Sequence, residues 1–190
     1  MSSGLFNSFL RNPGRIGALC PSSRRLSRAM VAGIGVESAA AVAELGPGTG
    51  VITREICAVL PENAKLLTIE IDEHLARSLR EEFPEVIICN GCASRLPDFL
   101  ADHQLPKVDA VISGLPWAVF PDDLQDWILA GVLAGLADGG WFTTFAYIQG
   151  LMLPAARRFR DRLKAEFREF HVSRVVWCNV PPAVIYRCRR

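Results

Sequence analysis

The stretch Ala41-Val42-Ala43-Glu44-Leu45-Gly46-Pro47-Gly48-Thr49-Gly50 constrains what this chain can fold into more than any other. A short apolar run reaches an acid and then a glycine-rich turn. Beyond the turn, Ile52, Ile56, Val59 and Leu60 recur at helical spacing, so residues near 49–60 read as a helix. Strand, glycine turn and helix form the opening of a nucleotide-binding α/β unit. The glycines let the backbone come close to a ligand, and the helix N-terminus offers N–H groups that lack intrahelical partners. The spacing Gly46-x-Gly48-x-Gly50 is tighter than the G-x-G-x-x-G of dinucleotide binders, and no G-x-x-x-x-G-K-[ST] phosphate loop occurs.

The second half of such a site should follow one strand later. Residues 65–71 read as that strand, and Glu70 stands near its end, at the spacing expected for a carboxylate that accepts from ribose hydroxyls. Ile71, beside it, is counted with the same pocket, while Asp72 is expected to cap a helix over 73–82. Strand and helix continue to alternate. Strands are expected at 86–90, 108–113 and 141–147, with helices at 96–102, from Pro121 to about Ala137, and from Pro154 to about Phe167. Asp138-Gly139-Gly140 should stop the second of these helices. Two last strands, 170–180 and 183–189, are joined by Pro181-Pro182. Apolar strands bounded by helices imply a mostly parallel sheet covered on both faces, and the closing hairpin makes the last strand antiparallel.

Upstream, residues 3–11 are expected to form a short amphipathic helix carrying Leu5, Phe6, Phe9 and Leu10, with Arg11 and Arg15 at its end. That pattern fits an interfacial helix on an anionic membrane, or equally a helix packed on its own domain. Ser22 or Ser23 should cap a helix running to about Ala32. The expected division is an amphipathic and basic segment over 1–36 and a single α/β domain over 37–190. Charge follows the same division. Residues 1–36 hold five arginines and no acid, 37–138 are strongly acidic, and 139–190 are again basic. Two basic ends suggest an anionic partner, nucleic acid or membrane. No run of about 18 apolar residues exists to span a bilayer, and no signal peptide is expected. The six cysteines lack metal-site spacing, since Cys89-x-x-Cys92 has no second pair, so no metal is expected and a reducing cytoplasm is the simplest setting.

In an open α/β sheet, ligands lie beyond the carboxyl ends of the strands. Glu44, Glu70, Cys92, Ser113 and Tyr147 all fall there. The form Glu44-Leu45-Gly46-Pro47-Gly48-Thr49-Gly50 resembles motif I of class I S-adenosylmethionine-dependent methyltransferases. The resemblance implies that Glu44, Gly46, Gly48, Gly50, Glu70 and Ile71 hold S-adenosyl-L-methionine, with S-adenosyl-L-homocysteine as product. In related enzymes the turn Asn90-Gly91-Cys92-Ala93 reads G-D-A, with the acid on the adenine amino group. Cys92 replaces that acid here, which leaves the adenine edge to backbone groups at Ala93 or to Ser94. After the fourth strand, Ser113-Gly114-Leu115-Pro116-Trp117 is similar to the [N/D]-[L/P]-P-[Y/F] motif of amino-group methyltransferases and the N-L-P-Y of rRNA adenine dimethylases. An amine nucleophile needs acceptors that aim its lone pair, for which the Ser113 hydroxyl and the Gly114 or Leu115 carbonyl are candidates. Trp117, next to Pro116, is a candidate cation-binding ring, and Tyr147 a candidate contact to the amine or a core residue.

Taken along the chain, Arg11-Asn12-Pro13-Gly14-Arg15-Ile16-Gly17-Ala18, Pro21-Ser22-Ser23-Arg24, the motif I stretch, Ser113-Gly114-Leu115-Pro116 and Asn179-Val180-Pro181-Pro182-Ala183 resemble bacterial phospholipid N-methyltransferases. The resemblance implies a Rossmann-like fold with a seven-stranded sheet, a protein peripheral on the inner face of the cytoplasmic membrane, and methylation of phosphatidylethanolamine toward phosphatidylcholine. Ornithine-lipid N-methyltransferases look alike, and an rRNA adenine dimethylase is the other alternative. Anionic membrane lipids and phosphatidylethanolamine are the expected partners. A monomer without a dedicated protein partner is expected, and a nucleic acid partner is not.

Overall fold

The structure, a computed structural model, describes residues 23–190. The expected helix over 3–11 therefore lies outside the described residues. Seven strands, β1 (Ala41–Leu45), β2 (Lys65–Glu70), β3 (Ile87–Asn90), β4 (Val108–Ser113), β5 (Leu136–Tyr147), β6 (Glu169–Val172) and β7 (Ala183–Arg189), form one sheet in the order β3-β2-β1-β4-β5-β7-β6. Pairing is parallel from β3 to β5, and β7 runs antiparallel to both of its neighbours. The strand order reverses between β1 and β4, which opens a crevice at their carboxyl ends.

Among the described residues six helices cover the sheet: α1 (Arg24–Val31), α2 (Val51–Cys57), α3 (Glu73–Glu82), α4 (Leu96–Asp102), α5 (Asp122–Gly135) and α6 (Pro154–Glu166). Strand alternation sorts the core between two faces. On one face Val42, Ala110, Ile112 and Ile185 meet Leu26 and Met30 of α1 and Ile52 and Ile56 of α2. On the other Ala43, Leu67, Val111 and Phe142 meet Leu96, Ile128 and Phe159. The cap expected at Asp72 is present: its Oδ1 accepts from His74 N at 2.8 Å and Leu75 N at 3.0 Å. Ser23 rather than Ser22 caps α1, accepting from Leu26 N at 3.2 Å.

Two element boundaries differ from expectation. Within the segment expected over 1–36, Leu26, Met30, Ile34 and Val36 are buried in the same cluster as Val42 of β1. Helix α5 ends at Gly135, and β5 begins at Leu136 and runs straight through Asp138-Gly139-Gly140. Those glycines form an irregularity inside the strand. A Cβ at Gly140 would lie 2.9 Å from the Asp109 carbonyl oxygen, so only glycine lets the two strands approach there. Finally β6 stops at Val172 instead of near residue 180. Ser173 Oγ accepts from Ile185 N at 2.9 Å, and Asn179 accepts from Ser23 N at 2.8 Å while donating to the Pro181 carbonyl at 2.7 Å. Residues 173–182 are thus a loop held by its own side chains and braced on the start of α1. Among the described residues no helix is long and apolar enough to cross a membrane.

Candidate active site

Backbone bonds stitch the strand ends into a continuous floor. Gly46 N donates to the Ile69 carbonyl at 2.9 Å, Gly114 N to the Leu45 carbonyl at 2.8 Å, and Gly91 N to the Glu70 carbonyl at 2.9 Å. The glycine turn, the end of β2, the Cys92 turn and the Ser113 stretch are therefore held side by side. All three motif glycines have positive φ, at 69°, 56° and 77° for Gly46, Gly48 and Gly50. Their surroundings differ. A Cβ at Gly46 would lie 2.6 Å from Leu115 Cδ2, and one at Gly50 would lie 2.7 Å from Phe83 Cε2, so these two glycines serve packing. Gly48 alone faces open space. Substituting Gly46 therefore displaces Leu115 rather than filling the ligand's space. Gly114 is equally tight, since a Cβ there would meet the Gly46 carbonyl oxygen at 2.7 Å.

Two acids stand behind this turn. Glu70 closes it: its carboxylate accepts from Gly48 N and Asp72 N, both at 3.0 Å. Glu44 is fully buried beneath α2, where Oε2 accepts from the Thr53 hydroxyl at 2.7 Å and Oε1 has no hydrogen-bond partner among the described residues. Burial pushes its pKa up to about 8, opposed by the Thr53 hydroxyl and reinforced by the neighbouring charge of Glu70.

At the ends of β4 and β5, a largely apolar pocket is lined by Leu115, Trp117, Val119, Tyr147, Phe159 and Tyr186 among others. It adjoins the crevice through Leu115. The Ser113 hydroxyl accepts from Trp117 Nε1 at 3.0 Å and lies 3.4 Å from Leu115 N, and the Ser113 carbonyl accepts from the Thr144 hydroxyl at 3.1 Å. The Leu115 carbonyl takes the Trp117 N–H at 3.0 Å. Among the described residues no hydrogen bond reaches the Gly114 carbonyl.

No family model matches the chain. It is 33% identical over 184 residues to the ornithine lipid N-methyltransferase of Singulisphaera acidiphila, covering 95% of this chain and 92% of that one. The chain belongs to the class I S-adenosylmethionine-dependent methyltransferases. A ribosomal RNA small subunit methyltransferase A from Thermotoga petrophila is 29% identical over 107 residues, which span 55% of this chain and 38% of the relative. An O-methyltransferase from Bacillus cereus, solved with S-adenosylhomocysteine, superimposes with a TM-score of 0.70 over all of this chain and 92% of its own at 14% identity, and so shares the fold.

The expected acceptor-side residues of this methyltransferase are closely packed. Ser113 is fully buried, and its oxygen faces the Trp117 Nε1–H and the Leu115 N–H. Trp117 is 2% exposed and stacks on Phe159 at 4.3 Å, with Phe142 and Phe120 also against it. Its ring is packed as part of the pocket's inner wall. Cys92 caps the turn before α4, and its sulfur accepts from the Ser94 hydroxyl at 3.2 Å, which occupies that hydroxyl's proton and involves no Ala93 backbone group. Ala93 is buried beside them, and Tyr147, half-buried, stands edge-on to Phe145 at 5.2 Å. Among the described residues no cluster could hold a metal ion. Sequence reasoning missed Thr53, whose place in the site follows only from its contact with Glu44 across the turn.

Glu44 gives the ligand-free methyltransferase a characteristic pH dependence. The folded state raises this carboxyl's affinity for its proton, so the resulting stability is complete below about pH 4.5, the ordinary carboxylate value, and is lost as pH rises through about 8. The loss should amount to roughly 3–5 kcal/mol at most. Denaturant midpoints are expected to fall from pH 5 to 8.5, and Glu44→Gln, which keeps the shape without the charge, should flatten that slope. A slope unchanged by Glu44→Gln assigns the pH dependence to other groups.

Proposed function

We propose that this protein transfers a methyl group from S-adenosylmethionine to the amino nitrogen of a lipid headgroup, with ornithine lipid as the leading acceptor. The observation that carries the acceptor is the near full-length similarity to an ornithine lipid N-methyltransferase. The similarity to rRNA methyltransferases, by contrast, covers about half of this chain.

The residues present fit the cofactor. Gly48 leaves open backbone where a ligand approaches closely, Glu70 offers carboxylate lone pairs beside it, and the orphaned Glu44 oxygen marks a polar group without a protein partner. We assign Glu70 to the ribose hydroxyls, and Gly46, Gly48 and Gly50 to the turn that carries the methionine portion. Ile71 and Ala93 are assigned to the walls of the adenine pocket. When bound, S-adenosylmethionine supplies an electrophilic methyl group. The chain's own task is to present the amine. The Gly114 carbonyl accepts one amine N–H and so turns the nitrogen lone pair toward the cofactor, and the pocket wall of Leu115, Trp117 and Tyr147 keeps water away. Positioning of this kind accounts for several kcal/mol of barrier lowering.

The same carbonyl serves phosphatidylethanolamine, whose headgroup is also a primary amine, so headgroup choice is tested directly. The protein is incubated with labelled S-adenosylmethionine and vesicles containing ornithine lipid, vesicles containing phosphatidylethanolamine, or ribosomal subunits. Label in the ornithine lipid, at least tenfold above the other two, is the expected result. Label in phosphatidylethanolamine moves the acceptor to that lipid, and label in ribosomal RNA alone overturns the lipid reading.

A further inference from the structure

Of the nine large apolar side chains exposed among the described residues, Ile71, Val119, Met152, Leu153, Trp177 and Val180 follow the carboxyl end of a strand, the end on which the crevice opens, and Val172 closes β6 there, whereas Val59 and Trp127 lie elsewhere. The most prominent, Trp177 at 72% and Val180 at 76% exposure, sit on the loop 173–182. Between that loop and α1 runs a groove whose apolar walls include Ala29, Val176 and Ile185 and whose cations are Arg25, Arg174 and Arg187. Among the described residues none of these three arginines has a carboxylate within ion-pair reach, while Arg24 and Arg28 on the same helix are both taken by Glu55. Arg187 Nη2 donates to the Ala29 carbonyl at 2.7 Å, and its buried Nε has no hydrogen-bond partner among the described residues. Among the described residues Arg25 reaches the Cys178 sulfur, at 3.2 Å.

We propose that this groove and the loop beside it form a docking surface for an anionic phospholipid bilayer. The guanidinium groups take lipid phosphates, and Trp177 and Val180 enter the interfacial region. Arginine's planar fork suits phosphate oxygens, and tryptophan prefers the headgroup boundary, where one side of the ring meets hydrocarbon and the N–H meets water. Residues 1–22 do not supply the missing counter-charge, because they contain Arg11 and Arg15 and no acid. The surface lies at the crevice end of the sheet, so docking would turn the amine pocket toward the bilayer. The proposal rests on the lipid reading for its purpose, but its test needs no turnover.

Full-length protein is sedimented with vesicles of phosphatidylglycerol in phosphatidylcholine, or of phosphatidylcholine alone, at low and high salt. Wild type should partition at least tenfold better onto the anionic vesicles and be partly released by salt. Trp177→Asp with Val180→Asp, and separately Arg25→Glu with Arg174→Glu, should each lower that partition at least tenfold. S-adenosylmethionine affinity should stay within twofold, because these exposed side chains take no part in the crevice. Wild-type partition by both double variants overturns the proposal and moves the contact to residues 1–15. So does arginine-dependent binding of inorganic phosphate without any vesicle binding, which makes the groove a free-phosphate site. Vesicle binding that is lost in the variants, in a protein that labels no lipid, supports the surface and overturns only the lipid acceptor.

Discussion

Glu70→Ala should lower the affinity for S-adenosylmethionine by at least about 100-fold, while the domain remains folded. Two effects combine. The ribose hydroxyls lose a charged acceptor, and a hydrogen bond to a charged group is worth about 1.5–3 kcal/mol. The carboxylate also accepts from Gly48 N and Asp72 N, so its removal releases the glycine turn from the end of β2. Glu70→Gln separates the two contributions, because its carbonyl oxygen keeps one of those backbone bonds and lacks the charge. An intermediate loss is expected, about tenfold. Calorimetric titration of the three proteins measures this directly, with a melting curve for each to establish that it is folded. Affinity within threefold of wild type for Glu70→Ala would remove Glu70 from the cofactor site.

The cofactor half of this site was legible in the sequence because its signals are local. A glycine turn between strand and helix, an acid at the end of the next strand and a cap at Asp72 are each set by a few consecutive residues. The acceptor half depends on contacts that sequence order does not carry. Whether the Ser113 oxygen is free depends on where the Trp117 N–H points, and whether the Trp117 ring is open depends on Phe159, on a helix 42 residues away in the chain. The packing of α1 is local as the cofactor signals are: helical spacing puts Leu26, Met30 and Val31 on one apolar face, and that face sits in the core with β1 and β4. The groove beside it was invisible for a plainer reason: it joins Arg25 to a loop near residue 175, and the bond that braces the two crosses 156 residues. Burial likewise decides the charge of Glu44, which in the sequence is merely one motif acid.

Trp117→Ala should be the most destabilising substitution in the acceptor half. The indole is 2% exposed, stacked on Phe159 and edge-on to Phe142, and truncating a buried aromatic to alanine costs about 3–5 kcal/mol through lost transfer energy and the cavity left behind. For a domain of this size that corresponds to a melting temperature lower by about 10 °C. Trp117→Phe keeps most of the packing and loses the Nε1–H donated to the Ser113 hydroxyl, for which about 1 kcal/mol is expected. The two variants should therefore differ in stability far more than in cofactor affinity, which belongs to the crevice on the other side of Leu115. Turnover should fall in Trp117→Ala because Ser113, Gly114 and Leu115 lose the wall they rest on, and should largely return in Trp117→Phe. An exposed ring acting directly on an ammonium predicts the opposite pattern: a wild-type melting temperature in the alanine variant together with turnover lost at saturating lipid. Melting curves and saturation kinetics on the same three proteins distinguish a structural wall from a ring that touches the substrate.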